Sequence, residues 1–194
     1  MGKKELAIIK SLGENVDRFA GKAVKVKVMA GSEKLDTKSE PAEIAAWMKG
    51  AMDRLDKLVS KDTRAEIRKA CGRGCAAANK GTIERARDKR RRFSSLDDYF
   101  AAELRKPLTG TRLEKKGNAL TWFFTPRTFN PPMKCFCGLM KGLPEDEDIS
   151  KTYCLCSRGF VERYWESVLD KPVKVELLES CLTGARECKF SVRF

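Results

Sequence analysis

The stretch YCLCSRGFVERYW (153–165) sets two cysteines one residue apart at the head of a patterned helix, in a chain of 194 residues with eight cysteines and no histidine. From a start near Ser150, Phe160, Val161, Tyr164, Trp165 and Val168 recur at helical spacing, so the segment presents one apolar stripe to a core. Cys156 lies four residues before Phe160 and shares that stripe. Cys154 is two residues away and on a regular helix faces elsewhere. For both thiols to meet, the segment has to open as a loop or a first turn.

Strand patterns flank this helix. TRLEKK and ALTWFFT (111–116 and 119–125) are joined by Gly117-Asn118, a hairpin turn, and Leu120, Trp122 and Phe124 share a face of the second strand. KPVKVELLESC (171–181) and ECKFSVRF (187–194) form a second hairpin around Thr183-Gly184. Val173, Val175 and Leu177 point one way, and without a bulge Glu179 and Cys181 join them. Phe190, Val192 and Phe194 face inward with Cys188 at the same parity. Cys156, Cys181 and Cys188, from three elements, are thus expected in one interior.

The N-terminal part reads as helical, starting with about Lys3 to Phe19. Val24, Val26 and Val28 alternate with lysines, a short strand signal over a stretch that a helix also fits. Ser39 and Pro41 start an amphipathic helix carrying Ile44, Trp47, Met48, Ala51, Met52, Leu55 and Leu58. KDTRAEIRKA leads into CGRGC (71–75), where Gly72 and Gly74 favour a turn. Two more helices follow, over 81–92 and from Ser94 or Ser95 to Pro107. The expected fold class is α+β: a helical region over 1–107, then 108–194 with antiparallel hairpins packed on helices.

No window has the apolar length of a membrane span, and the N-terminal residues lack the apolar core of a signal peptide. Cytoplasm is the expected location, and there cysteines serve as thiols or thiolate ligands rather than a disulfide framework. Net charge is +13 and peaks at RARDKRRRF (85–93). Such a run suits nucleic acid, an anionic surface or a solvated helix end. The last reading is favoured, because no nucleic-acid module accompanies the run. It should be exposed and read no sequence.

The cysteines fall in pairs: Cys71/Cys75, Cys135/Cys137, Cys154/Cys156 and Cys181/Cys188. Three readings stay open: small apolar filler, a redox couple, or metal ligation. Ligation is the sharpest. A thiolate-only set suits tetrahedral zinc, with an iron–sulfur cluster as the alternative. The candidate ligands are Cys154, Cys156, Cys181 and Cys188, with Cys71, Cys75, Cys135 and Cys137 as a second constellation. Trp122, Phe124, Phe160, Tyr164 and Trp165 are candidate walls of an apolar ligand pocket, against the plainer reading that they fill the core.

The last 45 or so residues, or about 75 with the 111–125 hairpin included, resemble the 4-vinyl reductase domain family. The elements are Cys154 or Cys156 before Gly159-Phe160, Lys171-Pro172-Val173, Glu179 and Cys181, and Gly184, Cys188 and Phe190. The resemblance implies an α+β ligand-binding fold of the type shared with phenol-sensor domains and TRAPP-type trafficking subunits. It also implies a zinc held by Cys154 or Cys156, Glu179, Cys181 and Cys188 beside a small-molecule pocket. Glu179 sits one residue nearer Cys181 than in the sensors, and the second thiol of CLC could replace it. The whole chain is similar to a prokaryotic family of cysteine-rich proteins of unknown function with the same order of cysteine pairs, and this confers no activity.

The function expected on these grounds is small-molecule binding with a cysteine-ligated metal, and the alternative is a thiol- or iron–sulfur-dependent reductase. No GxGxxG fingerprint is present and no histidine can act as general base. Enzymatic activity is left open. The expected partner is a small hydrophobic or aromatic ligand, with a homodimer as the candidate assembly and neither membrane nor nucleic acid favoured.

Overall fold

The computed structural model of the chain describes residues 2–194. In chain order its elements are α1 (Lys3–Ala20), α2 (Lys22–Val28), α3 (Pro41–Leu58), α4 (Lys61–Ala78), α5 (Lys80–Arg91), α6 (Leu96–Arg105), β1 (Thr111–Lys116), β2 (Ala119–Phe124), α7 (Lys151–Leu169), β3 (Lys174–Glu179) and β4 (Cys188–Arg193). Short 3-10 turns interrupt the connections at Gly138–Met140 and Cys181–Thr183.

Local chemistry fixes several helix starts. Pro41 opens α3 with a φ already suited to a helix, and Glu43 reaches back to the Glu40 N–H at 3.0 Å. Ser60, Ser95 and Ser150 cap α4, α6 and α7 by accepting from backbone N–H groups of their first turns. The alternating valines of KAVKVKV form helix α2, with only Val28 buried. The sheet is built wholly from the C-terminal hairpins, so this segment has no strand ladder to join and its backbone pairs internally.

The sheet is antiparallel in the order β1-β2-β4-β3. Trp122 faces Phe190, Phe124 faces Cys188 and Val175 faces Val192, as strand parity predicts. The two hairpins therefore merge through β2 and β4 into one surface, on which α7 lies. A bulge between Leu177 and Glu179 breaks the parity of β3. Glu179 is turned outward, where it pairs with Lys189 at 3.5 Å, and Cys181 reaches the interior through the following 3-10 turn instead.

Two cores share α7. The first gathers Leu12, Val16, Met48, Met52, Leu55 and Ile67 with Leu139, Met140, Tyr153 and Leu182. The second gathers Tyr99, Phe100, Trp122, Tyr164, Trp165 and Phe190. No helix among the described residues is long and apolar enough to cross a membrane.

CGRGC does not turn. It continues α4 to Ala78, and its first glycine is where α4 meets α7. A Cβ on Gly72 would fall 1.8 Å from the Cys156 carbonyl oxygen, and one on Gly159 would fall 2.1 Å from the Lys69 carbonyl oxygen. The helical cost of glycine is thus offset by backbone-to-backbone contact. Glu162, buried on α7, ties the crossing by pairing with Lys69 at 3.0 Å and Arg73 at 3.2 Å.

Gly74 has only Ser11 Oγ near its missing Cβ, at 3.7 Å. Gly72→Ala should therefore destabilise the fold by about 2–3 kcal/mol through overpacking, whereas Gly74→Ala should be neutral or stabilise by up to about 1 kcal/mol. Urea titration of both variants checks this. Equal effects would contradict the close crossing.

Candidate functional site

The segment between β2 and α7 carries the CFC pair, and a buried cation shapes it. Lys134 Nζ donates to the carbonyl oxygens of Pro144 and Glu145, each at 3.0 Å, and to that of Glu147. These bonds replace its hydration and fold the loop around it. Cys135 and Cys137 follow directly, and the Cys137 N–H donates to Cys135 Sγ at 3.4 Å.

Cys154, Cys181 and Cys188 gather about Ser180, and Cys135 lies near them. The Cys154 thiol and the Ser180 hydroxyl are 2.8 Å apart, and the Cys181 N–H lies 3.4 Å from Cys188 Sγ. Cys135 lies within electrostatic reach of Cys154, Cys188 and Cys181. A loop, a helix and a hairpin thus bring Cys135, Cys154, Cys181 and Cys188 into one neighbourhood.

Cys156 turns the other way. Two residues along a regular helix rotate a side chain by about 200°, so Cys156 faces α4 while Cys154 faces the hairpin. Its electrostatic neighbours are Arg68, Cys71, Cys137 and Cys75. Tyr153 O–H donates to Cys137 Sγ at 2.9 Å, Asn15 Nδ2 to Cys71 Sγ at 3.7 Å and Asn79 Nδ2 to Cys75 Sγ at 3.6 Å. Arg68 is 3% exposed, donates to the Tyr153 carbonyl at 2.9 Å and stacks over the Tyr153 ring at 4.8 Å.

The structure thus brings together three of the four candidate ligands, Cys154, Cys181 and Cys188, and adds Cys135 to them. The second constellation keeps Cys71, Cys75 and Cys137 and takes Cys156. Glu179, implied as a ligand by the resemblance, is exposed on the bulge. Among the described residues no three cysteine, aspartate or glutamate side chains already converge at ligand distance. Thiols are the donor type that soft metals take.

Trp122, Tyr164 and Trp165 pack on one another with ring centroids 4.7–5.3 Å apart, while Phe124 contacts Phe190 at 4.9 Å and half-buried Phe160 packs on the same core. A cleft of about 510 Å³ lies elsewhere, lined by Phe129, Met133, Phe136 and Met140 together with Cys135 and Cys137. It opens beside both cysteine sets. In the basic run, Arg85, Arg87, Arg91 and Arg92 are exposed, whereas Lys89 pairs with Glu103 on α6.

Arg68, Ser180, Asn15, Asn79 and Lys134 escaped the sequence reading. Arg68 had one legible signal: it stands three residues before Cys71, one helical turn away once CGRGC is helix.

Burial raises the thiols of Cys71, Cys75 and Cys135, and pushes Cys154 up to about 11 and Cys156 up to about 12. A hydrogen bond from the Cys181 thiol lowers Cys188 to about 7 and raises Cys181 itself. A raised thiol keeps its proton in the fold while the unfolded chain ionises near 9.0. Its stabilisation is complete below that value and is lost as pH climbs through the folded values. Cys188 acts oppositely: its contribution is present above the unfolded value and lost as pH falls through about 7. Raised thiols outnumber the lowered one, so the melting temperature of metal-free, reduced protein should fall between about pH 9 and 11. A flat or rising profile in thermal scans would contradict the buried thiols.

The sequence matches a family of unknown function, DUF6144, over residues 4–193. A search of curated proteins found no match. The match spans nearly the whole chain, as expected of a family of unknown function, and the comparisons give no support to the narrower likeness to the 4-vinyl reductase domain. With both cysteine sets and the helices that carry them inside the matched span, the chain belongs to the DUF6144 family.

Proposed function

We propose that the protein is a cytoplasmic small-molecule-binding protein with a cysteine-ligated metal site, a structural zinc, at Cys135, Cys154, Cys181 and Cys188. The observation that carries this reading is the gathering of Cys154, Cys181 and Cys188 about Ser180, with Cys135 near them on the adjoining loop. Four thiolates suit tetrahedral zinc. Such a site fastens the 135–137 loop and the C-terminal hairpin to α7. A reducing compartment follows, because thiolate ligands have to stay reduced.

The cleft beside Cys135 and Cys137 supplies the ligand half of the reading. Phe129, Phe136, Met133 and Met140 in its lining suit a small aromatic molecule, and Lys141 and Glu145 at the same cleft suit a polar substituent on it. The likeness of the C-terminal part to the 4-vinyl reductase domain points to the same class of ligand. A second reading, a thiol- or iron–sulfur-dependent reductase, is favoured by the hydrogen-bonded Cys181/Cys188 pair, whose lowered thiol is the better nucleophile.

Elemental analysis and a visible spectrum on protein purified without oxygen separate the two. Zinc and a colourless solution support the binding protein, and iron with sulfide supports the reductase. Cys188→Ser should lower metal content and melting temperature together, since four thiolates on zinc contribute on the order of 10 kcal/mol to folding. Retention of both would contradict the site. Calorimetric titration with a simple phenol should give saturable binding that Phe136→Ala weakens by about tenfold. An unchanged affinity would place the ligand elsewhere.

A further inference from the structure

We propose a second, independent metal centre in which Cys71, Cys75, Cys137 and Cys156 hold a soft metal as thiolates, with the buried Arg68 as its counter-charge. It extends the metal reading above to a different set of sulfurs. The Cys154/Cys156 pair divides, Cys154 facing the hairpin and Cys156 facing α4. Cys137 lies beside Cys135 at the border of the two sets and is assigned to the second by the Tyr153 hydroxyl that donates to it.

The carrying observation is Arg68. Its guanidinium is buried, its Nε has no hydrogen-bond partner, and no carboxylate among the described residues pairs with it. A buried, unpaired cation is costly, by several kcal/mol or more. The acidic groups around it are Cys156, Cys71, Tyr153 and Cys137. Anionic sulfur is what this cation is arranged to meet.

Three of the four sulfurs also face a donor. Asn15, Asn79 and Tyr153 each aim an N–H or O–H at a different one, on α1, at the end of α4 and on α7. Hydrogen bonds of this kind are strong only when the sulfur is ionised. Lys4 adds a second positive charge near Cys75, through its bond to Asn79 at 3.1 Å. Four thiols binding a divalent ion, or a dicationic iron–sulfur core, release four protons and leave a dianion. Arg68 and Lys4 then balance its charge.

The test is a titration of full-length, reduced, metal-stripped protein with Co²⁺, following the sulfur-to-cobalt charge-transfer bands and the visible bands of a tetrahedral site. Wild type should take up two equivalents, each in a sulfur-only environment. Cys75→Ser and Cys137→Ser should each remove one equivalent, and Cys188→Ser the other. Arg68→Gln should retain two equivalents but weaken one by about 10- to 100-fold, as loss of an outer-shell partner does. Iron and sulfide assays on the same variants, purified without oxygen, distinguish an iron–sulfur cluster from an ion. If wild type takes one equivalent and only Cys188→Ser loses it, the second centre is overturned and the first stands. If Cys75→Ser and Cys137→Ser lose metal while Cys188→Ser does not, the second centre stands and the first falls. A chain that takes up no cobalt and carries no iron overturns both.

Discussion

Everything at the candidate site depends on how closely α4 and α7 approach. Gly72 and Gly159 let the two backbones touch, and Glu162 ties Lys69 and Arg73 across the crossing. That approach places residues 68–75 of α4 against residues 153–156 at the start of α7. With an alanine at either glycine the helices would have to part, and Cys156 would move away from Cys71 and Cys75.

The helical phase of α7 then does the sorting. Residues two apart on a helix face nearly opposite ways, so Cys154 meets the hairpin and Cys156 meets α4. The 135–137 loop runs between the same two neighbourhoods, with Cys135 near Cys154 and Cys188 and Cys137 accepting from the Tyr153 hydroxyl. Lys134, bound by carbonyl oxygens of residues 144–147, holds that loop between the two neighbourhoods. The aromatic residues of α7 and the sheet are spent on the second core, which leaves the cleft to be lined by the loop itself.

Much of the fold was legible in the sequence. The stripe on α7, the Gly117-Asn118 turn and the alternation in the last strand each rest on local periodicity, and each element formed where its pattern lies. Three features were not legible, because each depends on a distant partner. CGRGC stays helical only because α7 fills the space above Gly72. Val24, Val26 and Val28 alternate like a strand but have no ladder to join. The bulge between Leu177 and Glu179 turns Glu179 outward, and nothing in the alternation up to Leu177 announces it. The cysteines as a group could be singled out by spacing, yet their partition needed the helix phase of α4 and α7 together.

The measurement that tests the account most directly is anomalous scattering at the metal edge, from crystals of full-length protein grown without oxygen. The account predicts two peaks, one among Cys135, Cys154, Cys181 and Cys188 and the other among Cys71, Cys75, Cys137 and Cys156 beside Arg68. A single peak ligated by Cys154 and Cys156 together, or no peak at all, would contradict it.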